Sequence, residues 1–310
     1  MFNIAVPPEL FGAVTIVSKV IFYLVDVFAQ ERFAGNQLAV VPDASALSSE
    51  RMQQIANEMH FSETAFVISD FQRNGGYDVR IFTPACELPF AGHPTLGTAY
   101  VIKHFVAGEA VDRLVVNLKA GQIIVIFEKD VENVEVAWME QVAPTFGRVF
   151  SVEEFSKILQ LADDAFDVQY PIQVVSTGLP FIIIPLKTLD AVRNAKINRD
   201  RLDELAKSTQ AGILVFCPQT YDAKNDLNVR VFADMYGVPE DPATGSGNGC
   251  LAGYLSRYRY FGSDKINIKA EQGYEIKRPS LLLLRAQAKE QKIHVKVGGK
   301  VVPVAKGELI

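Results

Sequence analysis

At 310 residues, with 49% hydrophobic and 22% charged side chains, the chain can bury a full core without disulfide or metal staples, and two domains of ordinary size fit its length. Its formal charge of -5 comes without a basic stripe, which removes nucleic acid as a partner, although a local cluster of backbone N–H groups can still hold a small anion. Three cysteines, Cys86, Cys217 and Cys250, stand in no C-x-x-C or Cys/His spacing, so neither a disulfide framework nor a metal site is predicted and a cytoplasmic setting fits.

Residues 1–18 are apolar, but Pro7, Pro8 and Glu9 stand where a signal peptide would be basic, and Lys19 and Asp26 interrupt any membrane span. An extension of uncertain structure is expected there, with no export signal and no membrane partner. The first secure strand is Val20 to Phe28, followed by a polar turn and a partner at Leu38 to Val41. Met52, Ile55, Ala56 and Met59 then mark one face of a helix capped by Ser48, which delivers the chain to His60-Phe61-Ser62-Glu63. Strands at Thr64 to Ser69 and Tyr77 to Thr83 flank Asn74-Gly75-Gly76, which supplies the backbone of a tight hairpin. His93 to Phe105 reads as helix, and Arg113 to Leu118, Gln122 to Glu128 and Asn133 to Met139 as a meander ending the first half near Gln141.

The second half opens on a capping box at Ser151 to Glu154. Strands at Gln173 to Ser176 and Phe181 to Ile184, helices near Leu189 to Ala195 and Arg199 to Ser208, and strands at Gly212 to Cys217 and Asn228 to Ala233 follow. A Gly/Pro/Asp-rich loop then leads into a helix from Gly247, and four strands close the chain. Two stretches echo each other: RIFTPACELPFAGHPTLGTAY from Arg80, and RVFADMYGVPEDPATGSGNGCLAGY from Arg230. Arg80-Ile81-Phe82 matches Arg230-Val231-Phe232, and Gly92-His93 matches Gly245-Ser246. A spacing of about 150 residues means two pseudo-equivalent domains and not a solenoid. Facing each other, they would set two helix N-termini, each carrying about half a positive charge, around one cleft as an anion cradle. Either loop alone reads equally well as ordinary turn chemistry.

The chain resembles the phenazine-biosynthesis-like (PhzF-type) isomerases, built on the diaminopimelate epimerase fold. The resemblance runs from Val20 onward through FAGNQLAVV (33–41), ANEMHFSETAFV (56–67), FTPACELPFAGHPTLGTAYV (82–101), STGLP (176–180) and EDPATGSGNGCLAGYL (240–255). It implies an α+β fold of two similar domains, 19–141 and 142–310, each a curved, mostly antiparallel sheet around a central helix, the last strand able to return to the first domain. It places the family's acid/base glutamate on Glu63, its histidine on His93, and its aspartate and serine on Asp241 and Ser246. The amino-acid epimerases of this fold carry thiols where this chain has His93 and Ser246, which disfavours two-thiol racemization. Gln37 stands where the family has proline, and the Ser246-Gly247-Asn248-Gly249 turn is richer in glycine than the pattern.

Apolar neighbours Phe61, Ala65 and Phe66 suit Glu63 to a raised proton affinity, the requirement for a carboxylate that takes a proton from carbon. By residue type alone it also reads as a surface glutamate. His93, beside a helix dipole, is expected neutral, to orient the substrate and handle a proton, or else to cap its helix. Asp241 suits a substrate ammonium or hydroxyl, or only organises its own turn. Ser246, with the Gly92 and Gly247 amides, suits a carboxylate, and Asn36 either meets the same ligand or serves as a left-handed turn residue. No nucleotide-binding or esterase motif occurs, so no cofactor is expected. The sequence therefore predicts a cofactor-independent isomerase acting on a small anionic carboxylate, and a homodimer. An epimerase or racemase, or a catalytically silent metabolite-binding protein, stays open on the residues alone.

Overall fold

The computed structural model describes residues 19–69, 71–108, 111–234 and 238–310; the extension predicted at 1–18 lies outside the described residues. Strand β1 (Val20–Val27) pairs antiparallel with β2 (Asn36–Val41), which runs parallel to β3 (Thr64–Val67) across helix α1 (Ser49–Met59). β3 pairs antiparallel with β4 (Tyr77–Phe82), and β4 pairs with the short β5 (Glu87–Leu88) and, in parallel, with β6 (Arg113–Leu118). β7 (Gly121–Lys129) and β8 (Glu135–Glu140) complete an antiparallel meander. Between β5 and β6 lies α2 (Gly92–Ile102), continued by a π-helical turn over Lys103–Ala107.

The second half repeats this order. β10 (Ile172–Ser176) pairs antiparallel with β11 (Pro180–Pro185), which is parallel to β12 (Gly212–Cys217). β12 pairs with β13 (Leu227–Ala233), and β13 with the short β14 (Val238–Asp241) and, in parallel, with β15 (Ile266–Gln272). β16 (Ser280–Lys289) and β17 (Lys292–Gly299) close the second meander. Helices α4 (Leu189–Asn194) and α5 (Arg199–Ala206) stand where α1 stands in the first half, and α6 (Gly245–Arg257) stands where α2 does.

The chain trades one strand between the halves in each direction. After β8, strand β9 (Thr145–Phe150) crosses to pair with β10; after β17, strand β18 (Val301–Leu309) crosses back to pair with β1. β8 also pairs with β17, so the ladder runs unbroken from one half to the other. β9 carries no alternating strand pattern in the sequence, because Gly147 interrupts it and Val149 is left exposed.

Helix behaviour follows composition. α1 buries one face through Met52, Ile55 and Ala56, as its periodicity predicts. α2 and α6 are apolar or small all round and are buried on nearly every residue, so each sheet must bend around its helix. α2 touches β1, β2, β3, β6, β7, β8 and β18; α6 touches β10, β11, β15, β16 and β17. Among the described residues no helix is long and apolar enough to cross a membrane.

The echo extends to an ion pair on each of the two matched arginines. Arg80 donates from Nε and Nη2 to both oxygens of Glu87, each at 2.8 Å, and lies over the ring of Phe82. Arg230 does the same to Glu240, at 2.9 and 2.8 Å, and lies over Phe232. Arg230 also donates to the carbonyls of Val192, Arg193 and Ala195, the open end of α4, and its side chain is only 9% exposed against 26% for Arg80. Truncating the more deeply buried partner strands both a carboxylate and a helix terminus. Arg230→Ala is therefore expected to cost about 3 kcal/mol and Arg80→Ala about 1 kcal/mol, as read by chemical denaturation; equal losses would contradict the ranking.

Candidate active site

Four helices begin with a side-chain cap. Ser48 serves α1, Ser151 serves α3 (Val152–Leu159) in a full capping box with Glu154, Thr188 serves α4 and Asn198 serves α5. α2 and α6 do not. Their N-cap residues, Ala91 and Thr244, make no capping bond, and neither helix has an acidic residue in its first turn. A buried helix start left without a cap presents unpaired N–H groups and positive dipole to whatever occupies the space before it.

The two bare starts meet. A Cβ placed on Gly92 would come within 3.3 Å of the Ser246 nitrogen and 3.4 Å of the Gly245 Cα, so glycine at 92 allows a backbone approach that a side chain would push apart. His93 and Ser246 are each the second residue of their helix and are buried. α6 starts two residues earlier than its sequence suggests, which brings Ser246 as well as Gly247 into the first turn.

Glu63 enters from the loop between α1 and β3. The left-handed cap at His60 turns the chain, and the β3 pairing of Thr64 with Phe82 fixes where Glu63 stands. Its Oε2 lies 3.4 Å from His93 Nε2; the side chains are 16% and 7% exposed, and neither atom has a hydrogen-bond partner among the described residues. Burial, reinforced by the Asp241 carboxylate, raises the Glu63 carboxyl from the ordinary 4.5 to about 8. Burial lowers His93 to about 3 against an opposing hydrogen bond with the Gln37 backbone, so the imidazole is neutral. Since Nε2 is unpartnered, that bond engages Nδ1, which leaves the Nε2 lone pair facing Glu63.

Asp241 ends β14 at the same place. Its Oδ1 accepts from Asn36 Nδ2 at 2.8 Å, and its Oδ2 from the Thr244 hydroxyl at 2.6 Å. Burial raises it to about 6, opposed by those two bonds. Asn36 also donates to the Ala243 carbonyl at 3.0 Å, joining β2 of the first half to the start of α6. Its loop is fastened by Arg278, which donates to Asp26 and to the carbonyls of Ala34 and Gly35.

The structure thus gathers Glu63, His93, Asp241, Asn36, Gly92, Ser246 and Gly247 where the two helix starts meet. Sequence reasoning missed Thr244, whose hydroxyl holds Asp241 instead of capping α6, and Gln272, which reaches the same turn from β15. His104 accepts or donates to Glu135 at 2.8 Å, away from the cleft, and Cys250 is buried with its thiol raised to about 11. Among the described residues no group of three or more His, Cys, Asp or Glu is arranged to hold a metal.

Register shows that the cleft is asymmetric. Thr64 pairs with Phe82 and Ile213 with Phe232, and those phenylalanines are matched residues of the echo. The residue equivalent to Glu63 is therefore Gly212. By the same route, Asp241, opposite Val231, corresponds to Leu88, opposite Ile81.

The sequence model of the phenazine biosynthesis-like protein family (PhzC-PhzF) matches residues 25–307. Trans-2,3-dihydro-3-hydroxyanthranilate isomerase of Pseudomonas fluorescens is 35% identical over 295 residues, 93% of this chain and 99% of its own length. A PhzF-family phenazine biosynthesis protein of Bacillus anthracis superposes with a TM-score of 0.87 at 30% identity, covering 94% of this chain and 99% of its own. A hydroxyproline epimerase of Agrobacterium vitis, 9% identical, shares the fold with a TM-score of 0.60 over 94% of this chain and 91% of its own. The protein is an isomerase with a diaminopimelate epimerase-like α+β fold. Within that class, the chain belongs to the phenazine biosynthesis-like (PhzF) family.

The raised Glu63 carboxyl also sets a stability dependence on pH. The folded chain holds this proton more tightly than the unfolded chain, so the contribution is full below the unfolded value of 4.5 and is lost as pH rises through about 8. Glu63→Gln carries no titration. Its melting temperature should gain on the parent's between pH 5 and pH 8 by about 5 °C, then run parallel. A gap that stays constant with pH would show that Glu63 titrates as an exposed carboxyl.

Proposed function

We propose that the protein is a cofactor-independent isomerase in which Glu63 alone removes a proton from carbon and returns it elsewhere on the same small carboxylic acid. The observation that carries this reading is asymmetry: the carboxyl raised furthest, Glu63 beside His93 Nε2, stands on a pseudo-symmetric frame whose equivalent position is Gly212. An enzyme that inverts a stereocentre with two opposed bases needs an acid or base on each side, and Ser246 and Gly212 offer none.

The substrate's carboxylate sits on the N–H groups of Gly92, Gly247 and their neighbours, with the Ser246 hydroxyl as a further donor. Asp241 and Asn36 take its amine or hydroxyl. Ionised Glu63 breaks a C–H bond next to a double bond and becomes a neutral acid; the electron pair shifts along the conjugated system. Glu63 then gives a proton to the far carbon, its carboxyl proton able to exchange with solvent in between, and no oxidant or second acid enters the balance. Neutral His93 accepts a hydrogen bond from protonated Glu63 and aims it. The Pseudomonas fluorescens relative's name supplies the substrate class for a first assay, a trans-2,3-dihydro-3-hydroxyanthranilate.

Glu63→Gln should lower turnover of that compound by about a thousandfold and remove its exchange of carbon-bound hydrogen with solvent deuterium, both followed by NMR. In the unsubstituted protein kcat/KM should rise with pH and level off above about 8, where Glu63 is ionised. Exchange at full rate in Glu63→Gln would refute the assignment of the base.

A further inference from the structure

Gln272, the last residue of β15, is fully buried, and its side chain makes four hydrogen bonds, all to residues 241–248, the turn that carries Asp241 and the start of α6. Its Nε2 donates to the Asp241 carbonyl at 2.7 Å and to the Thr244 hydroxyl at 3.0 Å. Its Oε1 accepts from the Thr244 backbone N–H at 3.2 Å and from Asn248 Nδ2 at 2.8 Å. Two of these partners are backbone groups whose polarity cannot reverse: a carbonyl only accepts and an N–H only donates. The amide of Gln272 therefore has a single satisfied orientation. In it Nε2 must donate to Thr244 Oγ1, and the hydroxyl's own proton is left for Asp241 Oδ2, 2.6 Å away.

Asn36 is fixed in the same manner on the other side. Its Nδ2 donates to the Ala243 carbonyl, so the end that meets Asp241 Oδ1 is also a donor. Both oxygens of Asp241 face fixed donors.

We propose that Gln272 is a positioning residue that fixes the direction of the hydrogen bonds ending on Asp241 and thereby holds it as an acceptor-only carboxylate beside Glu63. This rests on the reading of Glu63 as the base and adds to it the residue that sets its electrostatic partner. The internal symmetry supplies a second, independent observation. Leu227, three residues before the matched Arg230, corresponds to Tyr77; Leu227 pairs with Ala270 and Tyr77 with Val116, so Gln272 corresponds to Leu118. Where the equivalent of Asp241 is Leu88, the equivalent of Gln272 is also apolar. The glutamine accompanies the aspartate.

Few other charges bear on the cluster. Glu63 and His93 face it from the first half. Glu240 is taken up by Arg230, with Glu275 4.0 Å from the same guanidinium. Glu271 accepts from the Tyr221 and Asp222 amides and from Asn225 and Asn228. Arg278 is engaged by Asp26 and by the carbonyls of Ala34 and Gly35. The charge on Asp241 is one of the two causes that lift Glu63.

The test is carbon-13 NMR titration of the Asp241 and Glu63 side-chain carboxyls, which needs no substrate and stays valid whether or not Glu63 is the catalytic base. In Gln272→Met the Thr244 hydroxyl is freed to turn away. The Asp241 midpoint should rise and the Glu63 midpoint fall, each by about one pH unit. Thr244→Val should move both the same way, while Thr244→Ser, which keeps the hydroxyl, should leave them at their parent values. If Gln272→Met does not fold, Thr244→Val and Thr244→Ser decide alone. Unchanged midpoints in a folded Gln272→Met, or in Thr244→Val, would overturn the proposal. Loss of exchange in Glu63→Gln with unmoved midpoints in Gln272→Met would leave the base assigned and remove only Gln272.

Discussion

The close approach of two uncapped helix starts is the constraint on which the rest of the molecule depends. A helix terminus inside a protein normally carries its own solution to its unpaired N–H groups, and α1, α3, α4 and α5 each have one. α2 and α6 leave theirs open at the point where Gly92 and Gly245 bring the two backbones together. Wrapping each helix in its own sheet holds them there, and the exchange of β9 and β18 between the halves, with the β8 to β17 pairing, ties the two sheets into one ladder. The fold stabilises an arrangement of like dipole ends that would repel if free, and an anion bound between them would relieve it.

On that nearly symmetric frame the chemistry is one-sided. Glu63 from the first half and Asp241 and Gln272 from the second have Gly212, Leu88 and Leu118 as their equivalents, so each half contributes polar groups that the other does not copy. Burial then does two different things to neighbouring groups. It makes Glu63 hold its proton up to about pH 8 and makes His93 give its proton up until about pH 3, leaving a neutral acid next to a neutral acceptor at ordinary pH. Glu63 Oε2 and His93 Nε2, the two atoms that face each other, have no hydrogen-bond partner among the described residues, a cost that buried polar atoms rarely bear.

Much of this was legible in the residues. The capping signals of Ser48 and Ser151, the hairpin at Asn74-Gly75-Gly76 and the echo between Arg80 and Arg230 all rest on local chemistry, and the structure contains each of them. Glu63, His93, Asp241 and Ser246 were marked by the family motifs, and the family match accords with that recognition. What local chemistry cannot show is contact across long separations. Asn36 and Asp241 are 205 residues apart, and their hydrogen bond depends on the two halves meeting. Gln272 closes an ordinary strand, INIKAEQ, with no motif around it. The glutamates that answer Arg80 and Arg230 stand 7 and 10 residues away, an offset that hides them from a simple alignment.

The central claim is that a single carboxyl moves the proton, and the face of the substrate on which it is delivered tests this most directly. A substrate deuterated at the carbon that loses hydrogen, turned over with the intact enzyme, should yield product whose new C–H or C–D bond lies on the face from which the first was taken, because Glu63 sits on one side of the cleft. Delivery to the opposite face would require a second acid across the cleft and would contradict the account.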